Sequence, residues 1–282
     1  MLNRLTVLCE NSVEKPVQAI GEHGFSCLVE TDNGAFLFDT GQGLGLLHNA
    51  ELLNVSLSDL QGVILSHGHF DHTGGVQQLL SQAGPLPVYG HPELFRERFW
   101  VGKFEQRPNG IPFSRDQLEK LGARFDLSRE FREISPGLWL TGEVPRLTPF
   151  EKVDKALHYK DRSGTLIPDQ IEDDCSLVIE SELGLVVLLG CAHAGLANIL
   201  HHVVEMMGND RIYAVLGGMH LAPLSDEPFD QTVAALKQYK VNKIGVGHCS
   251  GKRRSADLYA HFPAETMFLS VGSGLSIPST NK

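Results

Sequence analysis

One segment constrains this chain more than any other: Leu65-Ser66-His67-Gly68-His69-Phe70-Asp71-His72-Thr73-Gly74-Gly75, directly after the apolar run 62–65. It sets three histidines and an aspartate within a few positions of one another. In an extended chain His67 and His69 point to the same side, because side chains alternate with a period of two. Asp71 and His72 then fall on the turn into the next helix, where the backbone can aim them at the same point or a neighbouring one. Neutral imidazoles with a carboxylate are what zinc, iron or manganese bind. Chance clustering in a polar loop is a poor account of four such groups at a strand's end.

The rest of the composition narrows the setting. Hydrophobic residues make up 42% and charged residues 21% of 282, a globular balance that excludes a disordered chain, a coiled coil or a collagen-like fibre. The five cysteines, Cys9, Cys27, Cys175, Cys191 and Cys249, never form a C-x-x-C pair, so neither a disulfide framework nor a structural zinc ribbon is expected. With 24 Lys and Arg against 34 Asp and Glu, the formal charge is −10. Such a surface repels phosphate backbones, so nucleic acid is not an expected partner. An anionic substrate would need a local basic or metal-lined site. The longest apolar stretch, 183–192, is far shorter than the roughly 20 residues of a membrane span, and the N-terminus lacks a signal-peptide core. A soluble, cytoplasmic protein with no membrane partner is the expectation; its oligomeric state is left open.

Apolar runs at 5–9, 26–30, 35–38 and 62–65 read as strands, and 44–54 and 76–80 carry helical spacing. From 175 the same rhythm returns, with strands at 176–180, 185–189, 212–216, 244–246 and 267–271 and helices at 194–207, 229–239 and 256–262. This echo predicts two similar halves packed together. Between them, 91–174 differs in texture. It holds Phe99, Trp100, Phe104 and Phe113 among many charges, a short helix over 114–122 with a serine N-cap and a glycine stop, and a strand at 136–144. It is predicted to form a small inserted α/β subdomain within one 1–282 domain, ending in a polar loop over 145–170 that acts as a lid.

H-x-H-x-D-H after a strand resembles the metal motif of the metallo-β-lactamase superfamily. Further landmarks of that family can be matched here. Phe36-Leu37-Phe38-Asp39-Thr40-Gly41 corresponds to its first motif, whose aspartate supports the metal loop through hydrogen bonds. Leu188-Leu189-Gly190-Cys191-Ala192-His193 and Gly245-Val246-Gly247-His248 correspond to its third and last. The usual acidic bridging residue is missing, since Leu216-Gly217-Gly218-Met219-His220-Leu221 reaches no carboxylate until Asp226. Gly-Gly-x-His-Leu and Gly247-His248-Cys249-Ser250-Gly251 are similar to one branch, the one named after the dihydropterin ribofuranosylaminobenzene phosphate synthase.

The resemblance implies an α/β fold, an αβ/βα four-layer sandwich, with metal at one edge. His67, His69 and His193 would hold a first divalent ion, and Asp71, His72 and His248 a second where there is one. The ion is zinc in the first instance, with iron, manganese or magnesium as alternatives. His220 is either a substituted ligand or a substrate contact, and Asp71 and His220 are the catalytic candidates. Lys252-Arg253-Arg254 is either a solvated face or an anchor for a phosphate or carboxylate. Cys191 and Cys249 read as packing residues rather than nucleophiles, His201-His202 as surface, and His23, His48, His91, His158 and His261 carry no pattern. The expected activity is metal-dependent hydrolysis of an anionic small molecule. A transferase of the synthase type is the alternative. A di-iron redox enzyme and a non-catalytic metal-binding protein stand behind both. No G-x-S-x-G elbow or phosphate-binding loop is present.

Overall fold

The strand Leu185–Leu189 is buried at every position, so both its faces must meet apolar layers. Val186 and Leu188 point into one core, and Leu185, Val187 and Leu189 into another. The same split occurs in the first half, where Phe36, Phe38 and Ile64 face one core and Leu37, Val63 and Leu65 face a second. The core shared by both halves lies between two sheets, and each outer core lies between a sheet and helices. In this computed structural model, which describes residues 2–14 and 17–280, the result is the expected αβ/βα sandwich.

Both sheets have seven strands. The first runs Gly274–Pro278, Leu2–Cys9, Ser26–Thr31, Gly34–Phe38, Leu60–Ile64, Leu86–Gly90, Ala123–Leu127. The second runs Thr266–Phe268, Lys243–Gly247, Ile212–Gly218, Leu185–Leu189, Leu177–Ile179, Leu138–Leu140, Arg132–Ser135. Helices Leu46–Leu52, Val76–Ala83 and Arg115–Lys120 cover the first through Leu46, Leu79 and Leu118. Helices Leu196–Met207, Asp226–Gln238 and Lys252–His261 cover the second through Ile199, Phe229 and Leu258. Neighbouring strands from Gly34–Phe38 onward in the first sheet pair in parallel, as do Leu185–Leu189, Ile212–Gly218, Lys243–Gly247 and Thr266–Phe268 in the second. Their carboxyl ends therefore emerge along one edge, which is where open α/β sheets place ligand sites. Among the described residues no helix is long and apolar enough to cross a membrane.

The stretch 91–174 is not a single inserted unit. Ala123–Leu127 extends the first sheet, and Leu138–Leu140 with Arg132–Ser135 extends the second. Leu138 and Leu140 are each about 1% exposed and fill the inter-sheet core, so burial draws this piece into the main body. Only Arg98–Val101, Gln106–Pro108, Leu157–Lys160 and Leu166–Pro168 form a separate four-stranded antiparallel sheet. Two of those strands lie within 145–170, which is thus partly sheet rather than a loop throughout. The expected helix is present at Arg115–Lys120, with Ser114 and Gln117 forming a reciprocal capping box that satisfies two otherwise orphaned backbone donors.

Candidate metal centre

The loops that end the parallel strands carry an unusual backbone. Asp39, Ala192, His220 and His248 all adopt positive φ, from 46° to 57°, a left-handed conformation that costs a non-glycine residue roughly 1–3 kcal/mol. Four such residues converge on one edge, and each either carries a candidate side chain or sits beside one. Two glycines permit the close packing around them. A Cβ on Gly68 would stand 2.1 Å from the Leu94 carbonyl oxygen, and one on Gly190 would stand 2.1 Å from Ser66 Oγ.

Asp39 organises the loop. Its Oδ1 accepts from the Ser66 backbone N–H at 2.7 Å, and its Oδ2 accepts from the Ser66 hydroxyl and from His72 Nδ1, both at 2.7 Å. With its hydroxyl proton committed to Asp39, Ser66 Oγ accepts from His67 Nδ1 at 2.9 Å. His248 Nδ1 donates to Asn11 Oδ1 at 2.9 Å, and its backbone N–H to Glu10 Oε1 at 2.6 Å. Once Nδ1 is occupied, Nε2 of each ring is the nitrogen turned toward the centre, which is how metal-binding histidines are usually oriented; His67 Nε2 lies 2.9 Å from His69 Nδ1.

His67, His69 and His193 offer nitrogens within 4.8 Å of one another. Burial, reinforced by the neighbouring imidazoles, holds His67 and His193 well below the usual histidine range, and burial takes His69 down to about 3. All three are therefore neutral. Nε2 of His69 and of His193 is buried without a hydrogen-bond partner. Buried polar atoms rarely go unpaired, and three neutral imidazoles that share a focus fit a divalent cation.

Beside them, His72 Nε2 lies 3.2 Å from His248 Nε2, and Asp71 Oδ2 lies 3.4 Å from His248 Nε2 and 3.2 Å from His23 Nε2. Burial would lower His72, but Asp39 and Asp71 outweigh it and push the ring up to about 9. Burial would likewise raise Asp71, yet His72, His23 and His248 hold its carboxyl well below the usual range. The Asp39 and Asp71 carboxylates thus draw positive charge to this spot. All six residues expected as ligands meet at this edge.

Several neighbours carried no sequence signal. His23 and Asn11 reach the centre from the loop before the second strand, and no spacing marks them. An open cleft of about 720 Å³ above the histidines is lined by Trp100, Arg107, Asn109 and Leu157 of the small sheet and its turns, and by Asp154 and His220. The Arg107 guanidinium lies 4.7 Å over the Trp100 ring. His220 belongs to none of the close donor groups found among the described residues. Its ring sits 4.5 Å from that of His193, neither of its nitrogens has a hydrogen-bond partner, and Asp154 Oδ2 is 4.0 Å from Nε2. That is the place of a substrate contact more than of a ligand.

The basic run is not in the cleft wall. It opens helix Lys252–His261, where Arg254 turns onto Asp226 at 2.8 Å, Asp257 at 3.1 Å and the Leu224 carbonyl at 2.7 Å. Lys252 and Arg253 are exposed. Arg253 also lies 4.0 Å from Asp257, so of the two readings of this run the helix favours the solvated face.

The chain matches the family model of the metallo-β-lactamase superfamily over residues 20–197, and it belongs to that superfamily. It is 34% identical over 257 residues to the 7,8-dihydropterin-6-methyl-4-(β-D-ribofuranosyl)-aminobenzene-5′-phosphate synthase of Methanocaldococcus jannaschii, covering 88% of this chain and 84% of that one. Among solved structures it is similar to Tm1679, a metal-dependent hydrolase of the β-lactamase superfamily, with TM-score 0.84, 30% identity and coverage of 98% and 100%. YhfI of Bacillus subtilis shares the fold at TM-score 0.61 and 13% identity, with coverage of 98% and 100%. The chain is an enzyme of this superfamily, in which both synthase and hydrolase relatives occur.

Proposed function

We propose that this enzyme is a metal-dependent hydrolase acting on an anionic small molecule, with zinc as its ion. The observation that carries the reading is the focus of three neutral imidazoles, two with unpartnered Nε2 atoms, directly beside the Asp71 carboxylate. His67, His69 and His193 would hold the first ion, and Asp71, His72 and His248 a second. A bound divalent ion supplies Lewis acidity, lowering the pKa of its water from 15.7 toward about 7. Asp71 orients the attacking water or accepts its proton. His220, which lines the cleft, donates to the substrate or its leaving group.

Charge selection falls to Arg107, the arginine that lines the cleft. Its side chain is 62% exposed, so the low end of the 1.5–3 kcal/mol range for charged hydrogen bonds applies. Arg107→Ala is expected to raise KM for a phosphorylated or carboxylated substrate about 10-fold, while Lys252→Ala with Arg253→Ala leaves it unchanged. Steady-state kinetics on both variants check this, and the reverse ordering would return the anchor to the basic run.

A second reading, transfer to an organic acceptor, is favoured by the extended identity to the synthase and by a second cavity. About 630 Å³ of space adjoins the cleft through Asp154, His220 and Pro223, room for a two-part substrate at ordinary pocket sizes. Turnover in ¹⁸O-labelled water separates the two. Hydrolysis places solvent oxygen in the product, whereas transfer places none and stalls without the acceptor.

A further inference from the structure

The second donor group lacks the bridging carboxylate that the family pattern calls for at 216–221, and a sulfur from another segment lies beside its histidines. Cys191 is 3% exposed and lies two residues before His193. Its Sγ is 3.1 Å from His72 Nε2. It belongs to two close donor groups, one with His67 and His72 and the other with His248 and Cys249. The sulfur thus stands between the His67 side of the centre and the His248 side. His72 and His248 both have Nδ1 occupied, by Asp39 and Asn11, so both present Nε2 toward this point.

We propose that Cys191 is a metal ligand, its thiolate completing the second site with Asp71, His72 and His248 in place of the missing acidic residue. The inference rests on reading this centre as a metal site. As the sulfur–metal bond forms, the S–H bond breaks and its proton leaves to solvent, as for any thiol ligand. A bound cation supplies the charge that favours the thiolate over the thiol. Cys249 is a weaker candidate, because its sulfur already accepts from the His220 backbone N–H at 3.2 Å and donates to the Cys191 carbonyl at 3.6 Å. A thiolate is a soft ligand, which selects zinc-like ions over magnesium or manganese at this position.

The test is cobalt(II) titration of the full chain, following bound metal and the thiolate-to-cobalt charge-transfer absorption in the near ultraviolet. Wild type is expected to take up two equivalents and show the band with the second. Cys191→Ser should lose the band and bind the second equivalent at least about 10-fold more weakly, while Cys249→Ser keeps both. A wild-type protein that binds cobalt without the band overturns this assignment and leaves the metal centre standing, and it does so without any variant that must fold. Retention of the band in Cys191→Ser overturns it equally. Failure of wild type to bind cobalt removes the assignment together with the metal centre it depends on.

Discussion

Replacing His193 with alanine is expected to empty the centre of metal and abolish turnover while leaving the folded chain intact. His193 is the only expected ligand of the first group that comes from the second half of the chain, so without it His67 and His69 face an open side. Loss of an outer hydrogen-bond partner costs a metal site about 10- to 100-fold in affinity, and loss of a direct ligand should exceed that. The fold should hardly notice. Nε2 of His193 has no partner to lose, and the removed ring is neutral, since burial already holds it so. We expect the metal-free variant to lie within about 1 kcal/mol of metal-free wild type, the range of a mild substitution. Metal analysis and thermal unfolding with and without chelator check both halves. Wild type should lose stability on chelation, by up to roughly 4 kcal/mol at saturating ion, and His193→Ala should not respond. A variant with full metal content would take His193 out of the site.

The contrast between His193 and His23 shows what this sequence makes legible. His193 ends an apolar run, Leu185–Leu189, whose complete burial fixes where the strand stops and hence where the next side chains project. The same holds for Asp39 after Phe38 and for His248 after Gly247. Strand ends are local features, and the ligand types that follow them can be read off the chain. His23 and Asn11 sit in a loop with no period. They reach Asp71 and His248 only because the loops that follow Leu2–Cys9 and Lys243–Gly247 meet at this edge, a contact that spans 237 positions for Asn11 and His248. The middle of the chain is harder to read for a related reason. Its charges and short apolar pieces look like a foreign insertion, yet three-residue Leu138–Leu140 is enough to join the second sheet once its two leucines find the inter-sheet core. Lys252-Arg253-Arg254 follows His248 closely in sequence, but a helix begins there and turns the side chains away from it. Proximity along the chain predicts proximity in space only while the backbone stays extended.

Removing the guanidinium of Arg98 is expected to be the most destabilising single change on the small sheet. Arg98 is about 1% exposed at its side chain. Its Nε donates to Asp169 Oδ2 at 2.8 Å and its Nη2 to Asp173 Oδ1 at 2.6 Å, and both carboxylates are fully buried. Taking one partner from a buried ion pair leaves an uncompensated charge and costs about 3–5 kcal/mol, a large share of the 5–15 kcal/mol typical of a whole domain. Arg98→Met keeps most of the volume, so the loss measured by denaturant unfolding should appear as a lower midpoint at unchanged slope. Exposed Arg115, paired with Glu119 at 2.7 Å one helical turn away, is the control. Its alanine variant should cost no more than about 0.5 kcal/mol. The sign of the pH dependence follows from Asp173. Burial already raises its carboxyl, with Arg98 as the main opposing influence, so without Arg98 it rises further. A folded-state acid pKa above the unfolded value destabilises most where the group must be ionised, and the penalty shrinks as falling pH protonates it. The deficit of Arg98→Met should therefore be largest near neutrality and narrow toward acid. The damage should also reach the metal, because Asp173 Oδ2 accepts from the Gly68 N–H at 2.8 Å and Gly68 lies between His67 and His69. Lower metal affinity in a variant that never touches the ion is the expected sign that the small sheet braces the ligand loop. A variant within about 1 kcal/mol of wild type that binds metal normally would show that it does not.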